Sequence, residues 1–292
     1  MAAAAAAPAY RPPWLQRIGS TTSTLRIENL VNHRRYLHDV FVNATASGYV
    51  DISVGNTTWL RIYHNLAQAK LMGDLEYRAG EYGFLWWLAH RIPDFPRINA
   101  SQDEDIIITA SATPTRMDAY FEDVEVGDVT SRTLPGGSQS SRHLFILNMS
   151  NSAAVTASGR YRIDRLDMPT GATIFSDGTR MAANIRFTCY MIAGNFPKAG
   201  SSKTTRVHIV DEFTELFTSE NREGLHVDPD NGNELAFNLS PPKTFWLPQP
   251  YVFEPNHLLV FEGEASHDGV NNLAAGSQQL FLVGIREFLA GV

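Results

Sequence analysis

The sequence has a single cysteine and no long hydrophobic run. Cys189 cannot form a bridge within the chain, so an intrachain disulfide framework is excluded. Its surroundings, Arg186-Phe187-Thr188-Cys189-Tyr190, have the composition of a strand, and we predict a buried, inert thiol there. The most apolar stretch, residues 84–89, is far shorter than the roughly 18 residues needed to cross a bilayer, so we expect no integral membrane segment.

Charged residues and catalytic motifs are also scarce. Charged residues make up 19% of the chain, and 24 basic against 31 acidic residues leave a net charge of -7. Such a chain has no general attraction for phosphate backbones, so we do not expect nucleic acid as a partner. The sequence contains no Gly-x-Ser-x-Gly elbow, phosphate-binding loop, His-Glu-x-x-His or Cys-x-x-Cys motif. These absences remove the common enzyme classes and favour a protein that is not an enzyme and holds no cofactor.

The first 24 residues are predicted to form an N-terminal arm. The alanine run at residues 2–7 lacks both a basic flank and the Leu- and Val-rich centre of a signal peptide, so we expect synthesis in the cytoplasm. Small residues and proline dominate up to residue 13, and such a segment has little to bury by itself. It would order against a neighbour through Tyr10, Trp14 and Leu15, and the alternative is a frayed tail.

Short alternating apolar runs are what the sequence has in abundance. Hydrophobic residues make up 43% of the chain, in runs such as Leu25–Leu30, Tyr49–Val54 and Gln279–Ile285. Apolar residues at every second position predict strands, and the lack of helices between them favours antiparallel over parallel sheets. We expect a mainly β fold, an antiparallel β-sandwich or jelly roll, with a short helix or two.

The 292 residues are enough for one large jelly roll or two in tandem. We predict a first β-rich half at residues 25–165 and a second at 166–292, with one continuous domain as the alternative. The loop and strand at residues 255–261 parallel those at 103–109, although the likeness is too weak to be a sequence repeat.

Two segments have the apolar spacing of a helix. Residues 59–72 carry apolar side chains at intervals of three and four before a glycine, which is a common stop signal. Residues 211–217 carry three apolar side chains at similar intervals, with acidic side chains on the opposite face. We predict a short helix in each segment.

Two groups of polar residues contain the side chains that bind metal ions. His208, Glu212 and His226 are of the types that ligate a metal in cupin-like jelly rolls, although a His-x-His pair is missing. Asp228 and Asp230 lie in an oxygen-rich stretch of the kind that binds calcium, and a solvated Asn-Gly turn is the simpler interpretation. We predict no metal site and keep these five side chains as candidates.

The organisation of the whole chain resembles that of a known class of proteins. The Ala- and Pro-rich arm, the serial strands, the Pro-rich loops and the closing Phe281-Leu282-Val283-Gly284-Ile285-Arg286 strand resemble the jelly-roll capsid proteins of icosahedral viruses and phages. The resemblance implies a structural protein of the virion, made in the host cytoplasm, with copies of itself and other virion proteins as partners. Assembly would use sheet edges and the N-terminal arm, with contacts from Tyr10, Trp14, Leu15, Phe84, Trp86 and Trp87.

Two other functions stay open at this point. A β-sandwich module that binds carbohydrate or a receptor would stack loop aromatics on its ligand, and Trp59, Trp246 and Tyr251 are the candidates. A cupin-like enzyme would instead need a bound metal ion. The aromatic run that contains Phe84, Trp86 and Trp87 also has an ordinary interpretation, as part of a hydrophobic core.

Overall fold

Antiparallel β-sheet makes up almost all of the regular structure. The computed structural model describes residues 15–44, 46, 48–64, 84–89, 91–100, 103–125, 141–168, 174–219, 222–228, 234–235 and 244–289. Within these ranges the single helix, α1, runs for six residues from Phe84 to Ala89. No helix in that part of the chain is long and apolar enough to cross a membrane. The prediction of a mainly β fold is confirmed.

The chain divides into two compact units, Met1–Leu144 and Phe145–Val292. This division comes earlier in the chain than the one we expected after residue 165. The strands of the first unit are β1 (Leu15–Ser20), β2 (Thr24–Ile27), β3 (His33–Ala44), β4 (Gly48–Val54), β5 (Thr57–His64), β6 (Asn99–Ala100), β7 (Ile106–Ala110) and β8 (Pro114–Glu125). They form two four-stranded sheets with the orders β1-β8-β3-β6 and β2-β7-β4-β5.

The second unit is built from more numerous and shorter strands. They are β9 (Arg142–Ser150), which begins just before the division, β10 (Gly159–Arg162), β11 (Arg165–Leu166), β12 (Phe175–Asp177), β13 (Arg180–Met181), β14 (Ile185–Asn195), β15 (Lys203–Asp211), β16 (Thr214–Glu215), β17 (Thr218–Ser219), β18 (Arg222–Glu223), β19 (Leu225–Asp228), β20 (Glu234–Leu235), β21 (Thr244–Phe253), β22 (Leu259–Ser266) and β23 (Gln279–Phe288). The two main sheets have the orders β11-β9-β23-β14-β21 and β10-β22-β15-β19-β20, and β16 pairs with β15. The short strands β12 with β13, and β17 with β18, form separate two-stranded sheets.

Both units contain the same strand order. When β9, β10, β14, β15, β19, β21, β22 and β23 are numbered from one to eight, β9-β23-β14-β21 corresponds to β1-β8-β3-β6. On the same numbering, β10-β22-β15-β19 corresponds to β2-β7-β4-β5. The two segments whose loop-and-strand order is parallel in the sequence lead into β7 and β22, which occupy the same place in this order.

Alternation along the strands decides which side chains are buried. In β4, Val50, Ile52 and Val54 are buried, and the polar residues between them are only partly buried. In the second unit one apolar cluster draws on both main sheets, with Phe187 from β14 and Ile209 from β15 among its members. Each large apolar side chain that is fully buried contributes roughly 1.5 to 3 kcal/mol to folding, so these clusters supply the main driving force.

Phe187 is the centre of the aromatic packing in the second unit. Its ring meets Phe145 edge-on, with centroids 5.7 Å apart, and stacks on Phe253 with centroids 5.9 Å apart. Cys189 lies on the same face of β14 and is only 1% exposed, and burial raises the pKa of its thiol to about 12. The predicted buried thiol is confirmed.

The helix expected at residues 59–72 is wrong for residues 59–64, which belong to β5. Residues 65–72 lie outside the described ranges. Leu60 and Ile62 are both buried and pair with Ile52 and Val50 of β4, so their spacing serves a strand. A full-length partner strand outweighs a local apolar pattern, because helix and strand propensities are weak compared with tertiary packing.

Gly284 provides a test of the close approach of β14 and β23. It pairs with Cys189, and a Cβ atom added to it would clash with the backbone oxygen of Thr188. We expect Gly284→Ala to lower the free energy of unfolding by about 3 kcal/mol, measured by urea denaturation. Gly178→Ala is the control: Gly178 has a positive φ of 52° but open space, and the change should cost about 1 kcal/mol. Equal losses in the two variants would contradict the close approach.

Candidate functional site at a hairpin tip

The clearest irregularity of the second unit is the hairpin between β15 and β16. Val210 pairs with Glu215 and Asp211 with Thr214, which leaves Glu212 and Phe213 as a two-residue loop. The short helix predicted at residues 211–217 is therefore wrong. Ile209 accepts a backbone hydrogen bond from Leu216, so the apolar spacing of this segment reflects strand pairing across the turn.

The two loop residues have a backbone conformation that is unusual for their type. Glu212 has φ of 44° and Phe213 has φ of 75°, and both residues carry a full side chain. Two positive φ angles define a type I′ turn, which normally contains Asn-Gly because other residues clash with their own backbone. The left-handed conformation costs roughly 1 to 2 kcal/mol for each such residue. Strain of this kind persists only where surrounding contacts hold the chain in place.

Those contacts come from the segment that leads into β22. The backbone N–H of Glu212 donates to the carbonyl of Leu258 at 3.0 Å, and the N–H of Leu258 donates to Glu212 Oε1 at 2.7 Å. The two bonds are reciprocal, so the backbone and the carboxylate of Glu212 are both bound to Leu258. The strained turn is thereby held in a single orientation.

Asp211 holds two further side chains beneath the loop. Its Oδ1 lies 2.9 Å from His257 Nδ1, and its Oδ2 accepts a hydrogen bond of 2.8 Å from the Tyr251 hydroxyl. Burial, followed by this hydrogen bond and the negative charge of Asp211, raises the pKa of Tyr251, so the phenol stays a donor at neutral pH. The Asp211 carboxylate is almost fully buried, and both of its oxygens have partners. The cluster therefore stiffens the base of the hairpin.

An aspartate paired with a histidine is also part of many hydrolytic sites, which need a nucleophile on the far side of the imidazole. Within the described ranges, no hydroxyl or thiol hydrogen bonds to His257. The hydrogen bonds of this cluster join β15 to β21 and to the segment that leads into β22.

Phe213 projects from this rigid base with 88% of its surface exposed, the largest exposed fraction among the large hydrophobic side chains of the described chain. A large aromatic side chain that is held out by a fixed backbone is well suited to bind a partner, because little conformational freedom is lost on contact. No pattern in the sequence predicts this exposed ring. The segment has neither glycine nor asparagine at the turn, so no ordinary turn signal marks it.

The structure does not bring the candidate metal ligands together. His208 is buried between two carboxylates, with Nδ1 3.1 Å from Glu215 Oε2 and Nε2 3.5 Å from Glu264 Oε2. Glu212 is at the hairpin tip and His226 is exposed on β19. The side chain of Asp228 and all of Asp230 lie outside the described residues. Among the residues that are described, no group of three or more possible ligands occurs.

The candidate stacking aromatics belong to different units. Trp59 is on β5, and its ring packs against His143 with centroids 4.3 Å apart. Trp246 and Tyr251 are on β21, where they pair with Met191 and Cys189 of β14. Only Tyr251 joins the hairpin cluster, through its bond to Asp211.

The candidate assembly residues are only partly covered by the structure. Leu15 begins β1 and pairs with Glu122 of β8, so the strand starts inside the segment that we expected to be an arm. The aromatic run forms α1, in which Leu85 and Leu88 are buried. Tyr10 and Trp14, and the side chains of Phe84, Trp86 and Trp87, lie outside the described residues.

The first unit contains a buried polar cluster of its own. Arg97 donates from Nη1 to His38 Nδ1 at 2.7 Å, and His38 Nε2 lies 3.2 Å from Glu122 Oε2. A ring nitrogen that accepts from arginine carries no proton, so His38 is neutral and donates through Nε2. Burial, followed by the positive charge of Arg97, lowers the pKa of His38 to about 3. Arg97 also lines a cleft with Trp59, Arg142 and other residues of this unit.

A scan against protein-family models finds no match, and a search of curated proteins finds no significant relative.

Strain at the hairpin tip can be measured by comparing two substitutions at one position. We expect Phe213→Gly to have a free energy of unfolding about 1 kcal/mol higher than Phe213→Ala, because only glycine adopts a φ of 75° without a steric penalty. Thr214→Gly and Thr214→Ala are the controls, since Thr214 is in a strand and alanine should be the more stable variant there. Equal stability of the two Phe213 variants would mean that the turn is unstrained.

The His38 cluster makes the first unit sensitive to acid. The pKa of His38 is lower in the folded chain than the ordinary 6.5, so its contribution is complete above pH 6.5 and is lost as the pH falls towards 3. Between pH 6.5 and pH 5 we expect the free energy of unfolding to fall by about 2 kcal/mol through this group. Urea denaturation at both pH values should show a smaller fall in the free energy of unfolding for His38→Gln than for wild type. His226→Gln, whose position is exposed, should show the same fall as wild type. The same fall in wild type and His38→Gln would refute this assignment.

Proposed function

We propose that the protein is a structural protein of a virion, a capsid subunit that assembles with copies of itself and with other virion proteins. The observation that carries the proposal is the strand order shared by the two units. Eight antiparallel strands in two four-stranded sheets are the arrangement of a jelly roll, an architecture that occurs in viral capsid proteins as well as in lectins and cupins. We infer two jelly rolls in tandem, which also fits the division of the chain into two compact units.

Several sheet ends are protected against pairing with other strands. Among the described strands, β6, β11 and β20 are sheet-end strands of two residues each, which limits unspecific pairing. β21 is also a sheet-end strand, and its exposed Pro248 and Pro250 have no backbone N–H to offer to another strand. Specific contacts would then depend on side chains and on the remaining edges, such as that of β5.

The hairpin tip is the side-chain contact that we propose. Folding of a single chain does not explain why Phe213 is held exposed on a strained turn, because burying an aromatic ring is favourable and the strain is unfavourable. A neighbouring subunit that covers the ring would supply the missing burial. The N-terminal arm, with Tyr10 and Trp14, is the second proposed contact and rests on the sequence alone.

The two other functions have less support. The phenol of Tyr251 is bound to Asp211 and the ring of Trp59 packs against His143, so both aromatics already have partners within the chain. A cupin-like enzyme needs converging metal ligands, and none converge among the residues that the structure describes. Elemental analysis of the purified protein would detect a metal if one is present.

The proposal is tested by electron microscopy and light scattering of the full chain over a range of concentrations. We expect closed shells, lattices or discrete oligomers for wild type, and self-association at least about tenfold weaker for Phe213→Asn, which keeps a residue that tolerates a positive φ. Val270→Asn is the matched control, because Val270 is 80% exposed on another loop of the same unit. A monomer at all concentrations would refute the assembly role. Normal assembly of Phe213→Asn would refute only the role of the hairpin and would leave the assembly role in place.

A further inference from the structure

Arg286 is a buried cation near the end of β23. It pairs with Phe187 of β14 and is only 3% exposed. Its guanidinium carbon lies 4.9 Å from the ring centroid of Phe145 and 4.8 Å from that of Phe288. The arginine is therefore enclosed in the aromatic part of the second unit, and its environment is independent of the proposed assembly role.

The Nε atom of the guanidinium is enclosed and has no hydrogen-bond partner among the described residues. Burial is the one cause that lowers the pKa of Arg286, and no charge of a described residue contributes to the shift. The nearest acidic neighbour in the sequence, Glu287, is 3.9 Å from Arg186 on the adjacent strand, and Arg186 also binds Glu254 at 3.1 Å. The carboxylates of this region are thus engaged with a different arginine.

Two other buried charges, those of Asp118 and Asp211, have hydrogen-bond partners. Asp118 accepts three hydrogen bonds from Arg17 and Arg116, and both oxygens of Asp211 are bonded. Buried charges are costly unless they are paired, and nearly all buried polar groups in proteins have partners. Burial lowers the pKa of Arg286 to about 10, which leaves it protonated at neutral pH. Its positive charge is therefore present, and no counter-charge lies beside it in the part of the chain that the structure describes.

We propose that Arg286 is the anchor of a binding site for a small oxyanion, one that offers two oxygens in a plane as carboxylate and phosphate do. Cation–π contacts engage the faces of a guanidinium, whereas its five N–H donors point outwards along its edges. Those edges match the spacing of two oxygens in a carboxylate or phosphate group. The rings of Phe145 and Phe288 hold the group in place, and the anion neutralises its charge.

Thermal unfolding in different sodium salts at matched ionic strength tests this site. For wild type we expect phosphate or acetate to raise the unfolding midpoint saturably by about 3 °C relative to chloride. Arg286→Met, which fills similar space without a charge, should lose the saturable rise. Arg186→Met is the matched control, because it removes a partly exposed arginine on the neighbouring strand and should keep the rise. The general salting-out effect of phosphate is common to all three proteins and is removed by this comparison.

A second measurement covers the case in which Arg286→Met does not fold. In wild type, titration with phosphate and with acetate should shift one arginine Nε–H signal in the nitrogen-15 NMR spectrum, and Arg286→Lys should lack that signal and bind at least about tenfold more weakly. A shift with only one of the salts identifies which oxyanion the site prefers. The proposal is overturned if neither salt shifts the signal, or if wild type and Arg286→Met respond to the salts alike.

Discussion

Alternating burial along antiparallel strands is the constraint on which both units depend. Apolar side chains at every second position of β4 and β22 are buried, and a shift of one residue in register would turn them outwards. Gly284 belongs to the same constraint, because β14 and β23 approach so closely there that a Cβ atom has no room. These registers also determine that Asp211 meets His257 and Tyr251, and that Arg286 lies opposite Phe187.

Some buried charges of the described chain have partners from distant segments, and two other side chains depart from ordinary packing. Glu122 and Asp211 have partners from distant parts of the chain, so their networks join strands that are not neighbours in sequence. Arg286 is charged and packs against the rings of Phe145 and Phe288, and Phe213 is apolar and exposed on a strained turn. Natural sequences depart from local rules mainly at functional sites. Both proposals about ligands and partners rest on such departures.

The sequence predicted well the features that follow from a pattern over several residues, and poorly those that depend on individual positions. The strands, the buried Cys189 thiol and the parallel between the segments before β7 and β22 all follow from patterns that extend over several residues. The two helix predictions, at residues 59–72 and 211–217, used the same kind of pattern and are wrong over residues 59–64 and 211–217, the parts that the structure describes. In each case strand pairing with another segment, β4 or β15, outweighed a short local spacing.

What the sequence by itself determined is the fold class, because a period of two in hydrophobicity depends only on neighbouring residues. The tertiary structure alone decided the shared strand order, the exposure of Phe213 and the burial of Arg286 against aromatic rings. Each of these depends on which distant strand lies alongside. Pairing partners are selected by burial over the whole unit, and that quantity is not encoded in any short stretch of residues.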